Sequence, residues 1–170
     1  GGAGMYTAMS AKRSGAQVTL FSPRPKNIPK PLKPIARNIS WIGPLVAEKD
    51  LPHFEISYKS GKTNYIKADF GAEGSLSIND LPNDLSKFDC VHIVPLGNVT
   101  KQLKFIIACK NRGASLISAG TALDLIRKNR DTNIGRKIIE NCDFFFMNEI
   151  EATYLLNEKY TNTVSYFYFS

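Results

Sequence analysis

Apolar and polar positions alternate with a period of two in the middle of the chain. In "HFEISYKSGKTNYIKADF", residues 53–70, Phe54, Ile56 and Tyr58 lie between polar neighbours, and "KSGK" separates them from a returning segment. This pattern predicts a β-hairpin with one half-buried face, to which Tyr65 would also belong. The hairpin is either a structural element or a flap over a ligand.

From Asp89 onward, short apolar strands alternate with helical patterns. The predicted strands are "CVHIVPLG", "ASLIS" and "DFFFM", and the predicted helices are "NVTKQLKFIIACKNRG", "TALDLIRK", "DTNIGRKIIENC" and "EIEATYLL". In the first helix Val99, Leu103, Ile106 and Ile107 share a face, and Gly113 is the expected C-cap. Strands that are apolar throughout and alternate with helices predict a parallel sheet with helices on both faces, hence an α/β fold.

The first 50 residues predict a helix, two short strands and a loop. The opening "GGAGMYTAMSAKRSG" has the small residues Gly4, Ala8, Ala11 and Gly15 at helical spacing, which would allow close packing on a sheet. Strands are predicted in "QVTLFS" and "SWIGPLV". The proline-rich segment between them reads as loop with a short helix that ends near Asn38. With 170 residues, the chain suits one domain.

The composition excludes several classes of protein. Apolar residues make up 43% and charged residues 22% of the chain, so it is a globular rather than a disordered sequence. No apolar run approaches the roughly 18 to 20 residues of a membrane helix. Cys90, Cys109 and Cys142 are far apart and odd in number, which predicts buried thiols in a reducing, cytoplasmic setting. His53 and His92 have no second ligand at metal-binding spacing, so neither predicts a metal site.

The formal net charge of +7 raises three possibilities for a partner, which are nucleic acid, a membrane surface and a phosphorylated ligand. The basic residues are spread over "AKRSG", "RPKNIPKPLKP", "KNRG" and "IRKNR", without interleaved aromatic residues. This distribution argues against a dedicated nucleic-acid surface. A basic nucleic-acid module, as the third interpretation, would bind with a steep dependence on salt.

Candidate chemistry lies where "DFFFM" meets "NEIEATYLL". Asn148 is a favoured N-cap and Glu151 stands at the N3 position, so Asn148-x-x-Glu151 reads as a capping box. The same position has a second interpretation, because ligands of open parallel sheets bind beyond the carboxyl ends of the strands. There Asn148 could face a phosphate or a hydrated Mg²⁺, which is often held by one or two carboxylates together with substrate phosphates.

Two segments resemble the ribokinase-like (PfkB) sugar kinases. "MNEIEA" is similar to the family's Asn-Glu-x-Glu-Ala segment, and "GGAGMYTAMSAKRSGA" is similar to its first signature of paired glycines, a small-residue helix and Ser-Gly-Ala. The hairpin occupies the position of the family's β lid. The resemblance covers nearly the whole chain.

The resemblance implies a three-layer α/β/α Rossmann-like fold, with a mainly parallel sheet and a hairpin lid at about residues 53–70. The implied reaction transfers the ATP γ-phosphoryl group, with Mg²⁺, to a sugar or nucleoside-like substrate. Gly1 and Gly2 match glycines beside the sugar, while Asn148 and Glu151 match residues near the triphosphate, with Glu151 on the metal side. The role implied for them is charge neutralisation and positioning. Lids of this family often pair between subunits, which implies a possible homodimer.

Three departures from the family qualify this expectation. Tyr6 replaces a sugar-contacting Asn of many members, which favours the alternative of a non-catalytic ligand-binding relative. "ISAGTALDLIRK" replaces an Asp-Pro-Asn segment, so no role is transferred to Ser118, Gly120 or Thr121. The Gly-Ala-Gly-Asp segment, with the catalytic base and anion hole, has no match here, and "VSYFYFS" resembles the strand before it. The first residue is Gly1, so we expect an internal fragment, truncated at both ends, without kinase activity of its own.

Overall fold

The computed structural model describes residues 2–59, 62–120 and 132–156. The chain divides into two compact units, Gly1–Leu81 and Pro82–Ser170. Gly1, the helix predicted for "TALDLIRK" and the strand predicted for "VSYFYFS" lie outside the described residues.

The first unit begins with a helix and contains three pairs of strands. Its helices are α1 (Ala3–Arg13) and α2 (Lys33–Ala36), and its strands are β1 (Thr19–Phe21), β2 (Arg24–Pro25), β3 (Ser40–Ile42), β4 (Leu45–Val46), β5 (His53–Lys59) and β6 (Lys62–Asp69). Single turns of 3₁₀-helix span Lys30–Leu32, Glu48–Asp50, Gly71–Ser75 and Ile78–Asp80. The pairs β1–β3 and β2–β4 are parallel. The two-residue strand β2 lies inside the segment predicted as loop.

The core of the first unit forms where α1 packs beside β1. Met5, Ala8, Leu20 and Ile39 are buried together, and Met9, Val18, Ile35 and Trp41 pack against them. Ala8 thus makes the close contact that its size predicts. Gly15 does not, because α1 ends at Arg13 and Gly15 is exposed. The small-residue stripe is therefore shorter than the spacing predicted.

The predicted hairpin is present as β5 and β6, which pair antiparallel. Phe54, Ile56 and Tyr58 lie on one face of β5, since side chains alternate along a regular strand. A register shift between Glu55 and Ile56 places one extra residue in β6. The Phe54 ring packs edge-on against Phe70 with centroids 5.5 Å apart, whereas the Tyr58 side chain is 76% exposed. The face is therefore buried at its base and open towards the turn. The backbone of Tyr65 pairs with Ile56, but its side chain is not among those that the structure describes.

The second unit contains a parallel sheet with helices between its strands. Its elements are β7 (Val91–Ile93), α3 (Val99–Asn111), β8 (Ile117–Gly120), α4 (Thr132–Glu140), β9 (Phe144–Phe146) and α5 (Glu149–Leu156). The strand order is β7-β8-β9 and both pairings are parallel. The described residues form a mixed α/β structure whose small sheets are mostly parallel, which confirms the α/β class. Gly113 follows α3 with a positive φ of 83°, as expected of a C-cap glycine.

In α3 and β9, the residues that are buried differ from those that the sequence predicts. Helix α3 buries Val99, Gln102, Phe105, Ile106 and Cys109, so its inner face is centred one residue away from the prediction and Ile107 is exposed. Strand β9 was predicted to be buried throughout, but Phe146 is 62% exposed and Phe144 is also exposed. Phe145 alone is half-buried, because side chains alternate along a strand and Phe144 and Phe146 share the opposite face.

The cysteines follow their prediction at two of three positions. Cys109 and Cys142 are buried free thiols, and burial raises the pKa of Cys109 to about 11 and that of Cys142 to about 12. Cys90 is exposed, contrary to expectation, because it precedes β7. Within the described ranges, no helix has the length and apolar character needed to cross a membrane.

Candidate functional site

The carboxyl ends of β7, β8 and β9 meet at one edge of the sheet because the three strands are parallel. The strands end at Ile93, Gly120 and Phe146, respectively. Helices α3 and α5 begin within a few residues of the first and last of these ends, after Asn98 and Asn148. Two helix N-termini with asparagine caps therefore follow strands at this edge, the usual ligand-binding position of open parallel sheets.

Asn148 and Glu151 form the predicted capping box. The Asn148 backbone N–H donates to Glu151 Oε2 at 2.9 Å, and the Glu151 backbone N–H donates to Asn148 Oδ1 at 2.9 Å. These reciprocal bonds satisfy two backbone donors at the start of α5. Glu151 is only 8% exposed, whereas Asn148 is exposed. One oxygen of each side chain is used in the cap, which leaves Glu151 Oε1 and the Asn148 amide nitrogen for other partners.

Asn98 caps α3 in a similar way. Its Oδ1 accepts a hydrogen bond from the Lys101 backbone N–H at 2.9 Å. No acidic side chain stands in the first turn of α3, while α5 has Glu149 and Glu151 in its first turn. The two helix ends therefore differ in charge, and only the α5 end carries carboxylates.

Gln102 ties the ends of β7 and β8 together. Its side chain is fully buried, and Nε2 donates to the Gly120 carbonyl oxygen at 2.7 Å and, at a longer 3.4 Å, to that of Ile93. Its Oε1 is buried and has no hydrogen-bond partner among the residues that the structure describes. Hydropathy does not predict burial of Gln102, although its position three residues after Val99 and four before Ile106 places it on the apolar face of α3.

A polar row crosses one face of the same sheet. His92 Nδ1 lies 2.9 Å from Ser118 Oγ, and Cys90 Sγ lies 3.5 Å from the same oxygen. Burial lowers the pKa of His92, which favours a neutral imidazole. The Phe146 ring lies 5.9 Å from the His92 ring, centroid to centroid. The Cys90-x-His92 spacing, which places both side chains on one face of an extended segment, was the overlooked sequence signal.

This row is not a complete metal site. In the part of the chain that the structure describes, no three His, Cys, Asp or Glu side chains group as a metal ion requires. Ser118 separates the thiol from the imidazole and forms a hydrogen bond with the ring. The row therefore acts as a polar contact between neighbouring strands.

The predicted sugar-side residues belong to the first unit. Gly2 has a positive φ of 91°, a conformation that favours glycine, and its carbonyl oxygen accepts from the Tyr6 backbone N–H at 3.2 Å. The Tyr6 side chain is 70% exposed. Of the predicted site residues, the structure brings Asn148 and Glu151 into direct contact and places Gly2 and Tyr6 one helical turn apart.

Comparisons with known proteins leave the family unassigned. No protein-family model matches the sequence, and no curated protein matches it. The resemblance to the ribokinase-like kinases therefore rests on the two sequence motifs alone.

Proposed function

We propose that the chain is part of a ribokinase-like carbohydrate kinase, which transfers the γ-phosphoryl group of ATP to a hydroxyl group of a sugar or related small alcohol. The observation that carries this proposal is the Asn148–Glu151 capping box, which follows the end of β9 in a parallel sheet. It lies inside "MNEIEA", the segment that resembles the family, and at the sheet edge where ligands of such folds bind.

The fold that we propose is the complete three-layer α/β/α architecture with a hairpin lid. The parallel order β7-β8-β9 and the helices that follow its strands support this architecture. The β5–β6 hairpin supports the lid, because Tyr58 and Ile56 expose apolar surface near its open end. Such a surface is suited to covering a bound ligand or a second hairpin.

Glu151 fits a magnesium ion that is held mainly by water and nucleotide phosphates. Its Oε2 is engaged by the Asn148 backbone N–H, so one carboxylate oxygen remains for the ion or for its water ligands. A single carboxylate suits Mg²⁺, which keeps several waters, better than a cation that requires a full protein cage. Bound there with ATP, Mg²⁺ would neutralise charge on the phosphates.

Asn148 and the start of α5 provide the complementary donor side of the site. The Asn148 side chain keeps its amide nitrogen free to donate to a phosphate oxygen, because its Oδ1 is fixed by the Glu151 backbone N–H. The capping box thereby fixes the orientation of both side chains before any ligand binds. Fixed donors and charges of this kind contribute strongly to phosphoryl transfer, which depends on positioning and electrostatic stabilisation.

On the substrate side, we propose that Gly1, Gly2 and Tyr6 lie near the sugar. Gly2 has no side chain and has a positive φ at the start of α1, where a substrate could approach the backbone closely. Tyr6 presents one hydroxyl group and a large ring, which differ from the two-sided hydrogen bonding of an amide. This change favours a substrate other than an unmodified ribose.

A non-catalytic ligand-binding relative is the second candidate. The feature that favours it is Tyr6, since its exposed ring replaces the amide expected at the substrate. Such a protein would keep the sheet edge and the hairpin but would not transfer phosphate. Binding of a sugar without consumption of ATP would distinguish it from the kinase.

The direct test is an assay of the full-length protein with ATP, Mg²⁺ and a panel of sugars, nucleosides and small polyols. We expect ADP release that depends on one class of acceptor and on Mg²⁺, with a phosphorylated product detected by mass spectrometry. Saturable acceptor binding with no product would support the ligand-binding relative. The absence of both acceptor binding and product would contradict the proposed function.

A further inference from the structure

Basic residues occur along the whole chain, but acidic residues balance them only after residue 47. Residues 1–47 contain seven Lys and Arg side chains and no Asp or Glu, whereas residues 48–170 contain 15 basic and 15 acidic side chains. The whole net charge of +7 therefore arises from the first 47 residues. Charge asymmetry of this kind indicates an anionic partner for the basic segment.

Three of these basic side chains line a cavity in the first unit. The cavity has a volume of about 390 Å³, and its lining combines three cations, one amide and two apolar side chains: Lys26, Asn27, Ile28, Lys33, Ala36 and Arg37. No carboxylate lines it. A volume above about 300 Å³ is typical of sites for small organic ligands and exceeds what a single inorganic phosphate needs.

The local fold directs the cations to this cavity. Lys33 and Arg37 stand four residues apart at α2, which places their side chains on one face of that turn. Ile35 points the other way, since it packs against the core of Met5 and Leu20. Lys26 also lines the cavity, and its backbone N–H donates to the Val46 carbonyl oxygen at 3.0 Å, which fixes its backbone beside β4.

Prolines and one side-chain hydrogen bond restrict the backbone of this segment. Pro29, Pro31 and Pro34 restrict the backbone through the 3₁₀ turn and α2, because the pyrrolidine ring fixes φ. The Asn38 side chain donates to the Pro34 carbonyl oxygen at 2.7 Å and closes the end of α2. A ligand would therefore meet cations whose backbone positions are already set, which lowers the entropic cost of binding.

Residues 1–47 contain no acidic side chain that could neutralise Lys26, Lys33 and Arg37, since the first acidic residue of the chain is Glu48. Like charges four residues apart on a helical turn repel each other, so Lys33 and Arg37 destabilise α2, and a bound anion would relieve this repulsion. Arg24, two residues before Lys26, does not line the cavity, although its Nε is buried without a hydrogen-bond partner among the described residues.

We propose that this cavity binds a phosphate monoester of a small organic molecule. The guanidinium group of Arg37 and the two ammonium groups suit a doubly charged phosphate, since Arg binds phosphate through paired N–H donors and Lys through a point charge. Ile28 and Ala36 provide apolar contacts for the organic part of the ligand. The lining residues belong to the first unit, whereas Asn148 and Glu151 belong to the second, and this proposal does not depend on the kinase proposal.

The probe is phenyl phosphate, which combines a phosphate monoester with an apolar body, and its binding to the chain is followed by NMR titration. We expect it to bind more tightly than inorganic phosphate. In the double variant Lys33→Ala/Arg37→Ala, affinity should fall at least ~10-fold, because charge-assisted hydrogen bonds are lost. The matched control Lys12→Ala/Arg13→Ala removes the same charge from the same acid-free segment but not from the cavity, and affinity should fall less than about twofold.

Each outcome of the titration either supports or overturns the proposed phosphate site. The thermal unfolding midpoint of each variant checks that these exposed substitutions leave the fold intact. Equal weakening by both double variants would overturn the proposal, since it would indicate diffuse attraction to the basic segment. A wild-type chain that binds anionic phosphatidic acid vesicles or a thymine oligonucleotide, but not phenyl phosphate, would also overturn it in favour of a membrane or nucleic-acid surface.

Discussion

Asn148 and Glu151 each have two groups that can act independently. One oxygen of each side chain closes the capping box, while Glu151 Oε1 and the Asn148 amide nitrogen remain available to a ligand. A stabilising role and a ligand-binding role are therefore compatible at the same two residues. They can be separated by substitutions that remove one group and keep the other.

Replacing Asn148 tests the cap. We expect Asn148→Ala to lower the free energy of unfolding by about 0.5 to 2 kcal/mol, because the Glu151 backbone N–H loses its acceptor. Asn148→Asp is the control, since its carboxylate can accept the same hydrogen bond and also favours a helix N-terminus. Urea denaturation measures both. If Asn148→Ala and Asn148→Asp were equally destabilised, the cap would not be the source of the effect.

Replacing His92 tests the polar row at acidic pH. Burial lowers the pKa of His92 below its ordinary value of 6.5, so below that pH the unfolded chain binds a proton that the folded chain resists. Stability contributed by the neutral ring is present above pH 6.5 and is lost as the pH falls through it. We expect the urea midpoint to fall less between about pH 7.5 and 5.5 in His92→Asn than in the wild type.

The exposed His53 provides the matched control for this experiment. In His53→Asn, the fall in the urea midpoint between the two pH values should equal that of the wild type. A fall of the same size in His92→Asn would show that His92 does not cause the acid sensitivity of the fold.

At the scale of the elements, the sequence predicts which segments are helices and strands better than it predicts what they bury. The hairpin and the strand–helix alternation of residues 89–156 were predicted from the spacing of apolar residues. This spacing is a local property of the chain. The inner face of α3 is not local, because the amide of Gln102 is buried by its bonds to strand carbonyl groups that lie elsewhere in the sequence. Hydropathy alone therefore favoured Ile107 over Gln102.

The burial of β9 and the contacts of the candidate site also depend on segments that are distant in the sequence. Three consecutive phenylalanines predict burial, but exposure depends on which strands flank β9, and that is a property of the sheet. The capping box was predictable because its two residues are three positions apart. Local spacing places Gln102 and His92 on their faces, but their partners Gly120 and Ser118 lie on a distant segment, so no spacing reveals the contacts themselves.

Turn glycines of the first unit provide a test of its strand pairs. Gly43, between β3 and β4, has a φ of 124°, and a Cβ there would overlap the carbonyl oxygen of Ser22. We expect Gly43→Ala to cost about 2 to 5 kcal/mol, since backbone strain and displacement of Ser22 add together. Gly15→Ala is the control, with a positive φ of 94° and no neighbour within 4 Å, and should cost about 1 to 2 kcal/mol. Similar losses in chemical denaturation would contradict the predicted overlap.

At the scale of the whole molecule, the hairpin is the proposed contact between subunits. Tyr58 is 76% exposed on the face that also contains Ile56, and isolated hairpin faces of this kind are stabilised by pairing. We expect self-association in analytical ultracentrifugation and its weakening in Tyr58→Lys. Ile107→Lys, which replaces an exposed apolar residue of α3, should leave self-association unchanged. Equal weakening in both variants would point to nonspecific apolar contact.

The measurement that tests the proposed kinase function most directly is a magnesium titration of turnover in the full-length protein, with wild type, Glu151→Gln and Glu149→Gln compared. Glutamine can still close the capping box, so Glu151→Gln should keep the wild-type stability while it lowers kcat strongly and raises the Mg²⁺ concentration required. Glu149→Gln removes the same charge from the same helix end without touching the cap, and should turn over close to the wild-type rate. If Glu151→Gln turned over like the wild type across the titration, Asn148 and Glu151 would be a helix cap alone, and the kinase site would be wrong.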